Sequence, residues 1–314
     1  MGTPEFAVPT LARLIKDSHD VACVFTQPDK PVGRGGQMQS PPVKLLAMQH
    51  SIAVHQPAKI KTNEDVRRVF ELVAPDACVV TAYGKILPAW LLAIPRLGCI
   101  NVHASLLPKY RGAAPINWAI ANGELETGIT TMQMDPGMDT GPMLMKSATA
   151  IGPAETAPEL SARLAETGAA LLSQTLVAIE SGTITPVTQD DGEASYAPML
   201  KREDGLIDWS MTAVKIANRV RGFQPWPGSY TAFRGHRLIL WRAHPAPAPG
   251  PATAASSSVT QIGESHVRVV CGDRTSLDIL ELQIEGKRRL SARDFANGFR
   301  LKTGDKLADT PEHE

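Results

Sequence analysis

The sequence predicts an α/β protein with an open, mostly parallel sheet, followed by a small β-barrel or sandwich. Three observations predict it. Apolar runs alternate with helical periodicities through residues 1–184, the pattern of strands joined by crossover helices. After Pro225 the texture changes to short alternating runs separated by turn residues, as in small antiparallel modules. The chain has 314 residues, whereas single cores stop growing near about 250–300 residues, so two domains are expected.

The elements follow in order. Residues 21–25 form a short apolar run that stops at Gln27-Pro28. Residues 42–50 and 65–72 carry helical apolar spacing, and 77–82, 99–103 and 128–134 read as buried strands. Residues 155–179 form a long helix with Leu160, Leu164, Leu171, Leu172, Leu176 and Ile179 as its apolar positions. Residues 181–193 lack an apolar period and open a linker, placed at 185–204 between a domain at 1–184 and a second at 205–307, with 308–314 as a tail. A helix at 208–220 precedes strands at 230–233, 237–241, 266–270 and 277–282, and the Pro/Ala/Ser stretch 245–258 reads as a surface loop. At the other end, Gly2-Thr3-Pro4-Glu5 reads as the loop after a first strand, with Thr3 as helix cap and Pro4 as first helical residue. No apolar strand precedes Gly2: either the start lies several residues upstream, or the sheet lacks a strand near its centre, and a chain that starts at Met1 is expected to melt below a version extended upstream.

Composition excludes several classes. No stretch approaches the roughly 20 uncharged apolar residues of a membrane helix, and the N-terminus, with Pro4 and Pro9 and no basic segment, is unlike a secretory signal. A cytoplasmic protein is expected, and no dimer signature stands out, so a monomer. Cys23, Cys78, Cys99 and Cys271 lack metal-ligand spacing and read as buried reduced thiols; no metal is expected. Net charge is zero, but residues 1–195 hold 15 basic against 19 acidic residues and 196–314 hold 17 against 13, an excess in the second part that suits a polyanionic partner or an ordinary solvated surface.

Two segments carry chemistry. In Asn101-Val102-His103-Ala104-Ser105-Leu106-Leu107-Pro108 the strand alternation puts Asn101 and His103 on one face near the strand's C-terminal end, where open α/β sheets bind ligands. An Asn amide can donate to a developing oxyanion and an imidazole can move an amine proton; a structural role for the pair suits the residues equally. Asp135-Pro136-Gly137-Met138-Asp139-Thr140-Gly141 follows the 128–134 strand and is expected at the same sheet edge. Its Asp139 could orient the imidazole, or the loop could be a plain acidic turn. Against a calcium loop stand the missing third acid and closing Glu. Lys30, Gly33, Arg34, Gly35 and Gly36 form a basic glycine-rich loop without the Gly-x-Gly-x-x-Gly spacing of a dinucleotide site.

Together, Asn101-Val102-His103, Ser105-Leu106-Leu107-Pro108 and an acid at Asp139 resemble the folate-dependent formyltransferases. That resemblance implies a Rossmann-like catalytic domain and an OB-like C-terminal barrel. It implies Asn101, His103 and Asp139 as catalytic residues, and 10-formyltetrahydrofolate as co-substrate without a metal. Ser105, Leu106, Leu107 and Pro108 are then folate-binding, with Tyr83, Gly84, Ile86 and Leu87 of the Ala82–Pro88 run at the pterin pocket. The motifs at Gly2–Ala7, Phe25–Lys30, Arg111–Ile116, Ile207–Trp209, Pro225–Pro227 and Gly286–Ala292 resemble the members that formylate methionine carried on initiator tRNA. For these the resemblance implies a tRNA acceptor-stem clamp in the glycine loop, with Lys30 and Arg34 as contacts and a flexible solvent loop as the alternative; Lys287, Arg288 and Arg289, then Arg202, Lys215, Arg219 and Arg221, are candidates for tRNA phosphate contacts or ordinary surface charge. Formyl transfer to an amino sugar or glycinamide ribonucleotide, hydrolysis of the formyl donor, and a non-catalytic RNA-binding role are the competing readings.

Overall fold

The computed structural model describes residues 1–32, 36–247, 250–251 and 253–308. Arg34, with Gly33 and Gly35, lies outside the described residues. The chain divides into two compact units: residues 1–115, 126–150 and 161–198 form the first, and 116–125, 151–160 and 199–314 the second. No helix among the described residues is long and apolar enough to cross a membrane.

In the first unit a short 3-10 turn at Glu5–Ala7 leads into α1 (Val8–Lys16). Thr3 is not its cap, because its hydroxyl donates to the Tyr83 carbonyl and accepts from the Gln27 amide instead. Then come β1 (Cys23–Phe25), the hairpin β2 (Lys30–Val32) and β3 (Gln37–Gln39), α2 (Pro42–Gln49) and β4 (Ala53–His55). Next is α3 (Glu64–Val73), which starts where the Asn63 side chain accepts from the Asp65 and Val66 amides and stops at a left-handed Ala74. β5 (Cys78–Val80), α4 (Ala89–Ala93), β6 (Cys99–His103) and β7 (Arg111–Gly112) follow. After α5 (Pro115–Ala121) come β8 (Glu126–Gln133), β9 (Met143–Ala150) and α6 (Ala157–Glu180). The segment expected as linker contributes β10 (Tyr196–Ala197), paired with β7.

β1 pairs with β4 and β5 with β6, both in parallel. Next to β5, Gly2 forms a parallel bridge to Thr81, and its amide donates to the Phe25 carbonyl of β1 at 3.0 Å. β8 and β9 extend the sheet antiparallel. Phe25, Val66, Phe70, Cys78, Val80 and Leu91 pack on one side of it; Leu11, Val24, Val43 and Ala47 form a second cluster. All five residues of β6 are buried. α6 reaches that strand closely because Gly168 has no side chain: a Cβ there would lie 2.8 Å from the Val102 side chain.

In the second unit α7 (Ala213–Gly222), capped by Thr212, packs with β11 (Ser229–Phe233), β12 (His236–Pro245), β13 (Val259–Ile262), β14 (Val267–Val270), β15 (Ser276–Ile284), β16 (Leu290–Ser291) and α8 (Ala292–Gly298). The strand order is β11-β12-β15-β14-β13 with β16 on β15, all antiparallel. The all-β module expected from the sequence is present, as a six-stranded sheet whose end strands β11 and β13 do not pair among the described residues; no closed barrel forms. Leu238, Leu240, Val267, Leu277, Ile279, Leu282 and Phe295 fill its core with Ile216 and Val220 of α7.

Candidate active site

β6 carries Asn101 and His103 on one face, both buried. The Asn101 amide donates to Asp139 Oδ1 at 3.2 Å. His103 Nδ1 stands 3.7 Å from Asp139 Oδ2, and His103 Nε2 lies 2.9 Å from the Tyr110 carbonyl. A carbonyl only accepts, so that contact fixes the proton on Nε2 and turns Nδ1 toward the carboxylate. Three side chains from two distant segments thus converge.

They converge by a route other than the expected one. β8 runs antiparallel to β6, pairing His103 with Thr130 and Ile100 with Gln133. The 135–141 loop therefore leaves at the edge where β6 begins, and reaches Asn101 and His103 by folding back over the sheet. Asp135 shapes the fold-back, accepting from the Gly137 amide and from the Thr140 hydroxyl. Asp139 itself is held left-handed, at φ 54°.

Gly112 and Arg111, quoted above only as part of a family motif, and Gln189, which no motif marked, hold this arrangement. The Gly112 amide donates to Asp139 Oδ2 at 2.9 Å. Gly112 has φ +119°, and a Cβ there would lie 2.8 Å from the Ala197 carbonyl, so only glycine fits. The Gln189 amide donates to the carbonyls of Asp139 and Gly141, both at 2.8 Å, and its oxygen accepts from Arg111 Nε at 2.9 Å. Arg111 is 2% exposed and pairs with Asp191 at 2.8 Å. No local pattern marks Gln189, since its partners lie 78 and 50 positions away.

The expected folate segment is tied down by hydrogen bonds. Ser105 donates to the Lys109 carbonyl, Thr130 donates to the Ser105 carbonyl and accepts from the Leu107 amide, and Lys146 donates to the Leu107 carbonyl. Ser105, Leu107 and Pro108 are buried and Leu106 is half-buried, so the first three shape a floor while Leu106 keeps accessible surface. The Tyr83–Leu87 run divides the same way. Tyr83 and Leu87 join the core, and burial pushes the Tyr83 phenol well up. Gly84 and Ile86 are exposed, Ile86 at 86%. Lys85 anchors the run by donating to the Pro57 and Ala58 carbonyls. β5 and β6 are parallel, so this run and Ser105–Pro108 leave the sheet at one edge.

Of the basic candidates, Lys30 is exposed on β2. Arg288 is exposed and makes no ion pair or hydrogen bond among the described residues. Lys287 sits over the Phe299 ring and Arg289 over Trp241, with a second contact to Glu281. Arg202 and Lys215 are exposed. Arg219 stacks near Phe223 and donates to the Asp204 carbonyl. Arg221 is built into the second unit: it donates to the Gly152 and Glu155 carbonyls, and burial pushes its pKa down against the pull of Glu155. The four cysteines are free thiols, Cys23 half-buried and the others buried.

A buried amide, an imidazole and a carboxylate thus meet on a mixed sheet of an α/β unit, an arrangement that can donate to an oxyanion and move a proton. The chain belongs to the formyl transferase family. The family's "Formyl transferase" profile matches residues 1–176, and its "Formyl transferase, C-terminal domain" profile matches residues 199–300. It is 53% identical over 307 residues to the methionyl-tRNA formyltransferase of Geobacter metallireducens, covering 98% of this chain and 97% of that one. It is 50% identical over 306 residues to that of Acidobacterium capsulatum, covering 98% and 97%. Among solved structures, the fold is similar to WlaRD, a sugar 3N-formyl transferase (TM-score 0.68, 18% identity, covering 91% of this chain and 97% of that one). It is also similar to the N-formyltransferase of Helicobacter canadensis (TM-score 0.65, 18% identity, 88% and 96%).

Proposed function

We propose that the chain moves the formyl group of 10-formyltetrahydrofolate onto the α-amine of methionine carried on initiator tRNA. The relatives above, at about half identity over nearly the whole chain, support the substrate. The observation that carries the chemistry is the meeting of Asn101, His103 and Asp139 around one point.

The folate supplies an activated formyl carbon. Asn101 has two amide protons; one is held by Asp139, and the other is free to donate to the formyl oxygen as it becomes an oxyanion. His103 Nδ1 takes the proton that the attacking amine loses. Asp139 stabilises the imidazolium that results, as the acid of a triad does. His103 then returns the proton to the folate nitrogen as its bond to the formyl carbon breaks, directly or through a water. Gln189 and Gly112 keep Asp139 in place throughout. Leu106, Gly84 and Ile86 supply accessible surface at the edge where the flat donor binds. Lys30, Arg34, Lys287, Arg288 and Arg289 contact tRNA phosphate, and the protein works as a cytoplasmic monomer. The test is a formylation assay that offers charged initiator tRNA, uncharged tRNA and amino sugars side by side. Formyl transfer to the charged tRNA alone is expected; transfer to an amino sugar alone would overturn the substrate.

A further inference from the structure

The neutral imidazole of His103 carries one ring proton, and two acceptors compete for it. Tyr110 offers its carbonyl to Nε2 at 2.9 Å, and Asp139 offers Oδ2 to Nδ1 at 3.7 Å. A proton on Nε2 leaves the Nδ1 lone pair open to the proton of an incoming amine; a proton on Nδ1 closes it. A carboxylate is the stronger acceptor of the two. The Nε2 tautomer therefore depends on where one backbone carbonyl is held.

That carbonyl belongs to an uncommon piece of backbone. Tyr110 is left-handed, at φ 60°, a conformation that a bulky side chain disfavours and that persists where the surroundings impose it. Ser195 imposes it with three polar groups. Its hydroxyl oxygen accepts from the Tyr110 amide at 2.9 Å. Its carbonyl accepts from the Arg111 amide at 2.8 Å, and its own amide donates to the Pro108 carbonyl at 3.4 Å. The Tyr110 carbonyl and the Arg111 amide are two ends of one peptide group. A chain of hydrogen bonds thus runs from His103 Nε2–H through that peptide to the Ser195 carbonyl, and each bond in such a chain polarises the next. Ser195 itself is half-buried and stands just before β10. It lies between residues 1–176 and 199–300, in a stretch that neither family profile matches. β10 fastens the far side as well, because the Ala197 carbonyl accepts from the Ala113 and Ala114 amides.

We propose that Ser195 is a positioning residue for the transfer step: through the Tyr110 carbonyl it sets the tautomer of His103. The inference rests on His103 Nδ1 as the group that takes the amine proton. Without the hydroxyl, the acceptor of the Tyr110 amide is gone and the left-handed turn loosens. The contact from the Tyr110 carbonyl to Nε2 lengthens, and the ring proton moves to the Asp139 side, where it blocks Nδ1.

The test compares the native chain with Ser195→Ala and Ser195→Thr. The ring-nitrogen chemical shifts of His103 are recorded in alkaline buffer, alongside steady-state formylation of charged initiator tRNA. In Ser195→Ala the share of the Nδ1–H tautomer is expected to rise. Its kcat is expected to fall about tenfold, inside the roughly hundredfold that a misplacement of ~1 Å can cost, while KM for the folate and for the tRNA changes by less than about twofold. Ser195→Thr keeps the hydroxyl and is expected to keep the native tautomer and kcat. Native ring shifts in Ser195→Ala overturn the proposal, and so does an equal loss of kcat in Ser195→Thr. Should the native chain itself leave charged initiator tRNA unformylated, the reaction assigned above fails, whereas the ring shifts still show whether Ser195 holds the imidazole.

Discussion

Asn101 joins both halves of the proposed site: one amide proton steadies Asp139, and in the proposed mechanism the other donates to the reacting carbonyl. Replacing Asn101 with Ala removes an oxyanion donor, which costs about 10²–10³ in kcat, while far-ultraviolet circular dichroism stays native. Gln189 acts one step back. It touches the Asp139 backbone rather than the substrate, so it is a positioning residue. Gln189→Leu is expected to lower kcat by about tenfold, within the range in which loss of supporting contacts weakens a site, with KM for the folate little changed. Gln189→Glu keeps the acceptor for Arg111 but loses the donor to Asp139, so it does not rescue turnover; a steady-state kcat and KM comparison of the two variants checks this.

At the level of elements, β15 carries the second unit's sheet, paired with β12, β14 and β16. Its Asp278 is buried beside Arg268, which bonds both carboxylate oxygens at 2.6 and 2.8 Å. Burial alone would raise the Asp278 pKa; the Arg268 guanidinium, with His266 nearby, outweighs it and holds the carboxyl below its ordinary value. The folded pKa is therefore the lower one. The stabilisation is complete above the unfolded value near pH 4 and is lost as pH falls through the folded value. Melting midpoints measured between pH 6 and pH 3 are expected to fall more steeply for the native chain than for Asp278→Asn below about pH 4. In the core of the same unit, Leu240→Ala is expected to cost about 2–5 kcal/mol, measured by urea unfolding, because Leu240 is 1% exposed.

Across the whole molecule, the strands and helices that the sequence shows best are those with strong local patterns. The run at 99–103 coincides with β6, and the long periodicity at 155–179 with α6 (Ala157–Glu180). β9 escaped notice because its alternation is polar and half-exposed, as suits an edge strand. The β2–β3 hairpin was hidden in a segment whose glycines read as loop. The direction of β8 was illegible for a different reason: parallel and antiparallel neighbours share one local pattern, and only pairing across the sheet distinguishes them. Asn101, His103 and Asp139 were legible from strand alternation and from the family's motifs, whereas Gln189 reaches the Asp139 carbonyl across 50 positions, a contact that leaves no local mark. The tRNA face follows the same division. Arg288, exposed and unpaired among the described residues, is expected on Ala substitution to lower the salt slope of tRNA binding by about 1. Arg221→Ala is expected instead to lower stability, because its guanidinium is tied to backbone carbonyls.

All of this turns on the imidazole and the carboxylate that meet at the sheet rim. The single-turnover formylation rate of His103→Ala and Asp139→Ala, measured with charged initiator tRNA and saturating 10-formyltetrahydrofolate, addresses them directly. Loss of about 3–4 kcal/mol of barrier stabilisation, with unchanged tRNA affinity and native folding, is the predicted result. A near-native rate in either variant would contradict the account.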